Sequence, residues 1–149
     1  MINRKVILHF SLIFLITNLL AQDKNNELKM FLELNSCNGC NLSNSNLSDI
    51  NLNNAQLENT NLANTNFSDS TLVEASLRQS TITSANFQSS NLRYASFQSA
   101  KLDDSDLIDA DLSYSKLSDS SIRNTNFKNS ILNEASLDNV SANNANLSK

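Results

Sequence analysis

Few side chains in this sequence could do covalent or acid–base chemistry, and they fall into three groups. The two cysteines occur together, as Cys37-Asn38-Gly39-Cys40, around the one glycine of the chain. A pair so spaced can close a disulfide, stay as two free buried thiols acting as small hydrophobes, or cycle between redox states. Redox cycling wants a cation or a helix N-terminus beside one sulfur, and none is evident in the flanking residues. Two sulfurs are too few to hold zinc. The single histidine, His9, lies in an apolar N-terminal segment. The third group is the acidic run from Lys101 to Asp111, with Asp103, Asp104, Asp106, Asp109 and Asp111. It could bind a cation or a basic partner; the simpler reading is a solvated face on which Asp takes the place of Asn.

Which of these chemistries is open depends on where the chain goes. It begins Met1-Ile2-Asn3-Arg4-Lys5, runs apolar from Val6 to Leu20, and continues Ala21-Gln22-Asp23. Basic, hydrophobic and small residues in that order make a secretory signal peptide, with cleavage expected after Ala21. The apolar run has 15 residues and includes His9, Ser11, Thr17 and Asn18, so it is short and polar for a membrane span of about 20 residues. An uncleaved anchor is the alternative reading. Export to a periplasm, a lumen or the exterior favours the disulfide between Cys37 and Cys40. Processing would also remove His9, leaving no imidazole for a Ser-His-Asp or Cys-His set. No catalytic residue, metal site or cofactor is therefore expected. With one Gly, phosphate-cradling loops and dinucleotide fingerprints are excluded as well.

The residues that remain must build the scaffold. The 149 residues include 26 Asn, 24 Ser and 23 Leu, with no Pro or Trp, yet Leu, Ile, Val and Phe number 42, enough for a core. Their placement is strictly periodic. From Leu42, every fifth residue is large and apolar: Leu47, Leu52, Leu57, Leu62, Phe67, Leu72 and so on to Leu137, then Ala142 and Leu147. Two residues before each is a small one, such as Ser45, Ala55, Thr60 or Thr65, with Ile50 and Val140 as larger exceptions. On a helix such a series spirals around all sides, and on an unbroken strand it alternates faces. It is buried together only if each unit is a short extended piece followed by a corner. Asn and Asp dominate the fifth position of the unit, where they tolerate left-handed backbone and cap a tight turn.

Four units per coil would stack residues 20 apart at the ~4.8 Å strand spacing. Tyr94 and Tyr114 then coincide, as do Phe67, Phe87 and Phe127, and Asn46, Asn66, Asn86, Asp106, Asn126 and Asn146 form an outward polar ladder. Glu58 would lie beneath Arg78 and Asp103 beneath Arg123. Units such as Ala55-Gln56-Leu57, Ala85-Asn86-Phe87, Ala110-Asp111-Leu112 and Ala145-Asn146-Leu147 resemble the repeat of the pentapeptide-repeat proteins. The resemblance implies an all-β fold, a right-handed quadrilateral β-helix over residues 37–149. It also makes a cysteine pair ahead of the repeats, after a short helix, a familiar feature.

The organisation expected is a signal peptide at 1–21, a short amphipathic capping helix and linker at 22–36, and the β-helix at 37–149. Asp23 is the expected N-cap, and Leu28, Phe31 and Leu32 the face that covers the first coil. No comparable lid follows Leu147, so the last coil is expected to fray after about Leu137 or to pair with a second copy. Formal net charge is −4, and loss of Arg4 and Lys5 with the signal makes it −6, so nucleic acid is not an expected partner. A non-enzymatic exported scaffold for an unknown protein or envelope component is the leading reading, with no membrane span after cleavage. The alternative, implied by the resemblance, is a DNA-mimicking topoisomerase-binding protein. Ice binding would need a flat file of threonines, and Thr71, Thr81 and Thr83 are too scattered.

Overall fold

The computed structural model describes residues 24–149, so the predicted signal peptide, its cleavage site at Ala21, His9 and the Asp23 cap lie outside the described residues. The first element is a helix, α1, at residues 24–34. It ends at Asn35, whose left-handed backbone (φ 52°) lets its N–H donate to Phe31 O at 2.7 Å. The Asn35 amide also donates to Asn53 O at 2.8 Å, tying the helix end to the first coil.

From Ser36 onward the chain winds as a β-helix. Parallel bridges join residues 20 apart without a slip, from Ser36 to Gln56 at one end to Asn126 to Asn146 at the other. One unit shows the pattern. Leu42 N donates to Asn61 O at 2.8 Å and Asn44 N to Ala63 O at 2.8 Å, both in the next coil, while Ser45 N closes the corner on Leu42 O at 3.2 Å. The corner residue is left-handed in every unit: Gly39 (φ 77°), then each fifth residue from Asn44 to Asn144, with φ between 55° and 62°. Each coil thus turns four corners in 20 residues, which is why the leucines converge inside.

Burial follows the five-residue clock up to Phe127, and Leu42 through Phe127 line the axis at 3 % exposure or less. Phe67 and Phe87 stack at 4.8 Å, and Phe97 meets Phe87 edge-on at 6.0 Å, so the predicted aromatic column exists in its lower part. The small inward hydroxyls mostly find backbone carbonyls: Thr60 donates to Cys37 O, Thr65 to Leu42 O and Thr125 to Leu102 O, at 2.9, 2.9 and 2.8 Å. Ser45, Ser115, Ser120 and Ser130 have no partner for theirs among the described residues.

The two ends differ. Phe31 of α1 is buried on the first coil and Leu28 packs against the same core, but Leu32, expected to join them, is 55 % exposed at the rim. Glu27 accepts from Asn41 N at 2.6 Å and so satisfies an N–H of the first coil, which has no coil beneath it. At the far end Leu137 is 39 % and Leu147 57 % exposed, so the clock continues in sequence after the core has opened.

Candidate functional site

Cys37 and Cys40 bracket the first corner, Cys37 at the large inward position and Cys40 at the following small one. Their Cα atoms are 5.5 Å apart, at disulfide distance. The turn between them is pinned from the next coil: Glu58 N donates to Asn38 Oδ1 at 2.8 Å, and Gly39 N donates to Glu58 O at 2.9 Å. Cys37 is nearly buried under α1, which leaves its sulfur little access to a substrate.

The acidic run is dispersed by the corners. Asp103 takes a fork from Arg123, with Nε and Nη2 at 3.2 and 2.8 Å from Oδ2, while Arg123 N donates to Oδ1 at 2.9 Å. Asp104 accepts from the Asn124 amide at 2.9 Å, Asp109 from that of Asn129 at 3.1 Å, and Asp106 caps Ile108 N at 3.0 Å. Asp111 accepts from Ser113 N at 2.9 Å and lies 3.4 Å from Arg93. No three of these carboxylates converge, and among the described residues no His, Cys, Asp and Glu cluster could hold a metal ion. Of the two charge pairs expected between coils, Asp103 with Arg123 forms. Glu58 with Arg78 does not: Glu58 accepts from the Ser76 hydroxyl at 2.8 Å, and Arg78 reaches upward to Gln98 at 2.9 Å.

Partial burial works against the charge of Asp103, but hydrogen bonds from Arg123 and Ser121 outweigh it and hold the carboxyl below its ordinary value. Asp111 is likewise lowered, with burial opposed by Ser113 and Arg93. A depressed folded-state pKa contributes stability that is present above the unfolded value and lost as pH falls through the folded one. The melting temperature should therefore drop on acidification below about pH 4, and D103N should flatten part of that drop. Thermal melts across that range check this; an unchanged slope in D103N would assign the acid sensitivity elsewhere.

Sequence reasoning placed Tyr94 over Tyr114 as a mark of the 20-residue coil and gave the pair no role. Tyr94 and Tyr114 stack with centroids 4.9 Å apart and planes 7° from parallel, and both remain exposed, at 47 % and 43 %. The Arg93 guanidinium lies 5.9 and 5.8 Å from the two ring centroids. Both tyrosines occupy left-handed corner positions, φ 61° and 62°, where bulky residues are rare. Their shared place in the five-residue unit was the available signal.

Family models for the pentapeptide repeat region match residues 33–107, and models for pentapeptide repeats in eight copies match 90–129 and 120–149. Among solved structures, a pentapeptide repeat protein (Rfr23) from the cyanobacterium Cyanothece 51142 is similar at 22 % identity and a TM-score of 0.56, covering 82 % of this chain and 97 % of its own. HetL, a pentapeptide repeat protein involved in heterocyst differentiation regulation in Nostoc, gives 15 %, 0.35, 81 % and 91 % for the same quantities. QnrB1, a plasmid-mediated fluoroquinolone resistance protein, gives 14 %, 0.41, 76 % and 73 %. The first likeness supports the fold, and such neighbours imply a right-handed quadrilateral β-helix. No curated protein matches the chain.

Proposed function

The chain belongs to the pentapeptide-repeat family, and from that premise we propose that it is an exported, non-enzymatic scaffold whose rod presents faces and corners to another protein or an envelope component. The observation that carries this reading is a tube filled by its own side chains: Leu, Ile and Phe occupy the axis, and the polar groups outside are spent on bonds between coils. Among the described residues the hollows are open ones at the two ends of the rod, and the axis itself is filled. Crosslinking in the exported fraction followed by affinity capture tests it, and a chain found only in the cytosol would remove the exported part of the reading. Intact-mass analysis of that product should show a chain starting near Gln22; one starting at Met1 and released only by detergent would be an anchor instead.

An oxidised Cys37–Cys40 pair fits an exported scaffold. Closing so short a loop contributes about 2 kcal/mol on the chain-entropy account, acting on the first coil under α1. Free-thiol titration of unfolded, unreduced protein should find none, whereas two reactive thiols in native material would establish the buried-thiol form.

The DNA-mimicking alternative finds less support, because a rod imitating phosphates needs unbroken rails of carboxylates. Here Asn stands over Asp along the corners, and Arg93 and Arg123 neutralise Asp111 and Asp103. A homodimer through the last coil is favoured by a specific feature. Ile131 and Leu147 are exposed there, on an open hollow of about 620 Å³ lined also by Phe127 and Leu132, and Leu137 is exposed as well. A second copy stacked on that coil would cover them. Sedimentation over a wide concentration range, with hydrogen exchange of residues 139–146, separates a dimer from a frayed monomer.

A further inference from the structure

Twenty-two corners from Gly39 to Asn144 have left-handed backbone, and most are Asn, Asp, Gly or Ser. Of the five exceptions, Gln79 (φ 58°) stands alone in another column, and the other four, all Glu or Tyr, are consecutive members of one column: Glu74 (φ 60°), Tyr94 (61°), Tyr114 (62°) and Glu134 (57°). The backbone ladder aligns them, since Glu74 N donates to Arg93 O, Tyr94 N to Ser113 O and Tyr114 N to Asn133 O. Large side chains in this conformation cost free energy that Asn would spare, and sites that break a local rule together are where function is sought. Tyr and Arg are also the residue types that anchor protein interfaces.

We propose that this corner is a docking strip for an extended segment of a partner protein carrying two basic residues four apart with an apolar residue midway. The occupant follows from charge and spacing. Glu74 and Glu134 are exposed and bracket the aromatic pair. Three coil steps of ~4.8 Å separate them by about 14 Å, close to the four-residue reach of an extended chain, whose residues at i, i+2 and i+4 face one way. Two cations of the segment meet the two glutamates, and the apolar residue between them packs on the exposed edges of the stacked rings. Arg93 does not oppose this, because Asp111 lies 3.4 Å from its guanidinium. Lys116, on the adjoining face beside Tyr114, is without an ion pair among the described residues and is the one nearby charge that resists the partner.

This inference rests on the scaffold reading and names its partner class, and the experiment separates the two. The probe is a fluorescein-labelled peptide, Thr-Lys-Thr-Leu-Thr-Lys-Thr, titrated with the full chain and read by anisotropy, with a Glu-for-Lys peptide as control. The wild-type protein should bind the basic peptide at about 1 mM or tighter and the acidic one not at all. Binding should weaken roughly tenfold in Y94N/Y114N and at least about fivefold in E74Q/E134Q. It should also fall between about 50 and 500 mM salt, while K116Q should tighten it. Asn already serves eight other corners, so Y94N/Y114N should fold, which its circular dichroism will show. Should it not, E74Q/E134Q decides alone. No binding by the wild type, equal binding of the acidic peptide, or substitutions that leave affinity within about twofold overturn the proposal. If proteins captured from the exported fraction are held equally by wild type and Y94N/Y114N, the scaffold reading stands and this strip is not its site.

Discussion

L92D should lose the fold of the central coils. Leu92 is fully buried between Leu72 and Leu112 of the same column, and a carboxylate there would meet no donor. An unpaired buried charge together with the lost leucine should cost about 4 kcal/mol, a large share of the stability of a rod this size. Because each coil contacts mainly its neighbours, the damage should spread to the coils above and below rather than remain local. Q88E is the matched surface change, on an exposed side chain next to buried Phe87, and should stay within about 0.5 kcal/mol. Urea or thermal melts of the two variants give the comparison. Equal midpoints would mean that the five-residue clock does not separate inside from outside.

The second large effect concerns the corners. N64V places a β-branched residue at φ 57° and should cost about 2 kcal/mol, whereas N64G should be close to neutral in backbone strain. Asn64 is a clean probe because its own N–H donates to Thr83 O at 2.9 Å in the coil above, a bond that both variants retain. A valine variant as stable as the glycine variant would show that the corner does not demand left-handed geometry in solution.

The period of five and the coil of 20 were legible because burial repeats with both: Leu42 through Phe127 obey the first, and the bridges from Ser36 to Asn146 obey the second. Asn and Asp at the fifth position told where the corners fall. What the sequence could not tell was which way a long side chain leans. Arg78 and Glu58 share a column in register yet bond to Gln98 and Ser76. Leu32 has the spacing of a buried helical residue, yet it stays at the rim of an open hollow that it lines with Phe31, Ile50 and Leu52, and Phe31 is the residue that is buried. The 20-residue step placed Tyr94 over Tyr114, but what sets their corner apart was not legible for a different reason. Periodicity identifies what a position tolerates on average, and a residue kept there against that average shows only when the φ angles and the stacked rings are seen together.

The unbroken step of 20 also gives the chain a frame, in the sense that a text read in fixed groups has one. Removing one five-residue unit keeps every large residue inside and every corner a corner, so the fold should survive, yet all later columns move round by a quarter of the coil. The two stacked tyrosines would then stand on different edges if the cut fell between them. Removing four units, such as residues 95–114, shortens the rod by one rung and leaves each remaining column on its own edge, with Glu134 now resting on Tyr94. Length and surface pattern are thus inherited separately in this architecture. Small insertions and deletions rewrite which residues meet on an edge while sparing the core, and only changes of a whole coil preserve both.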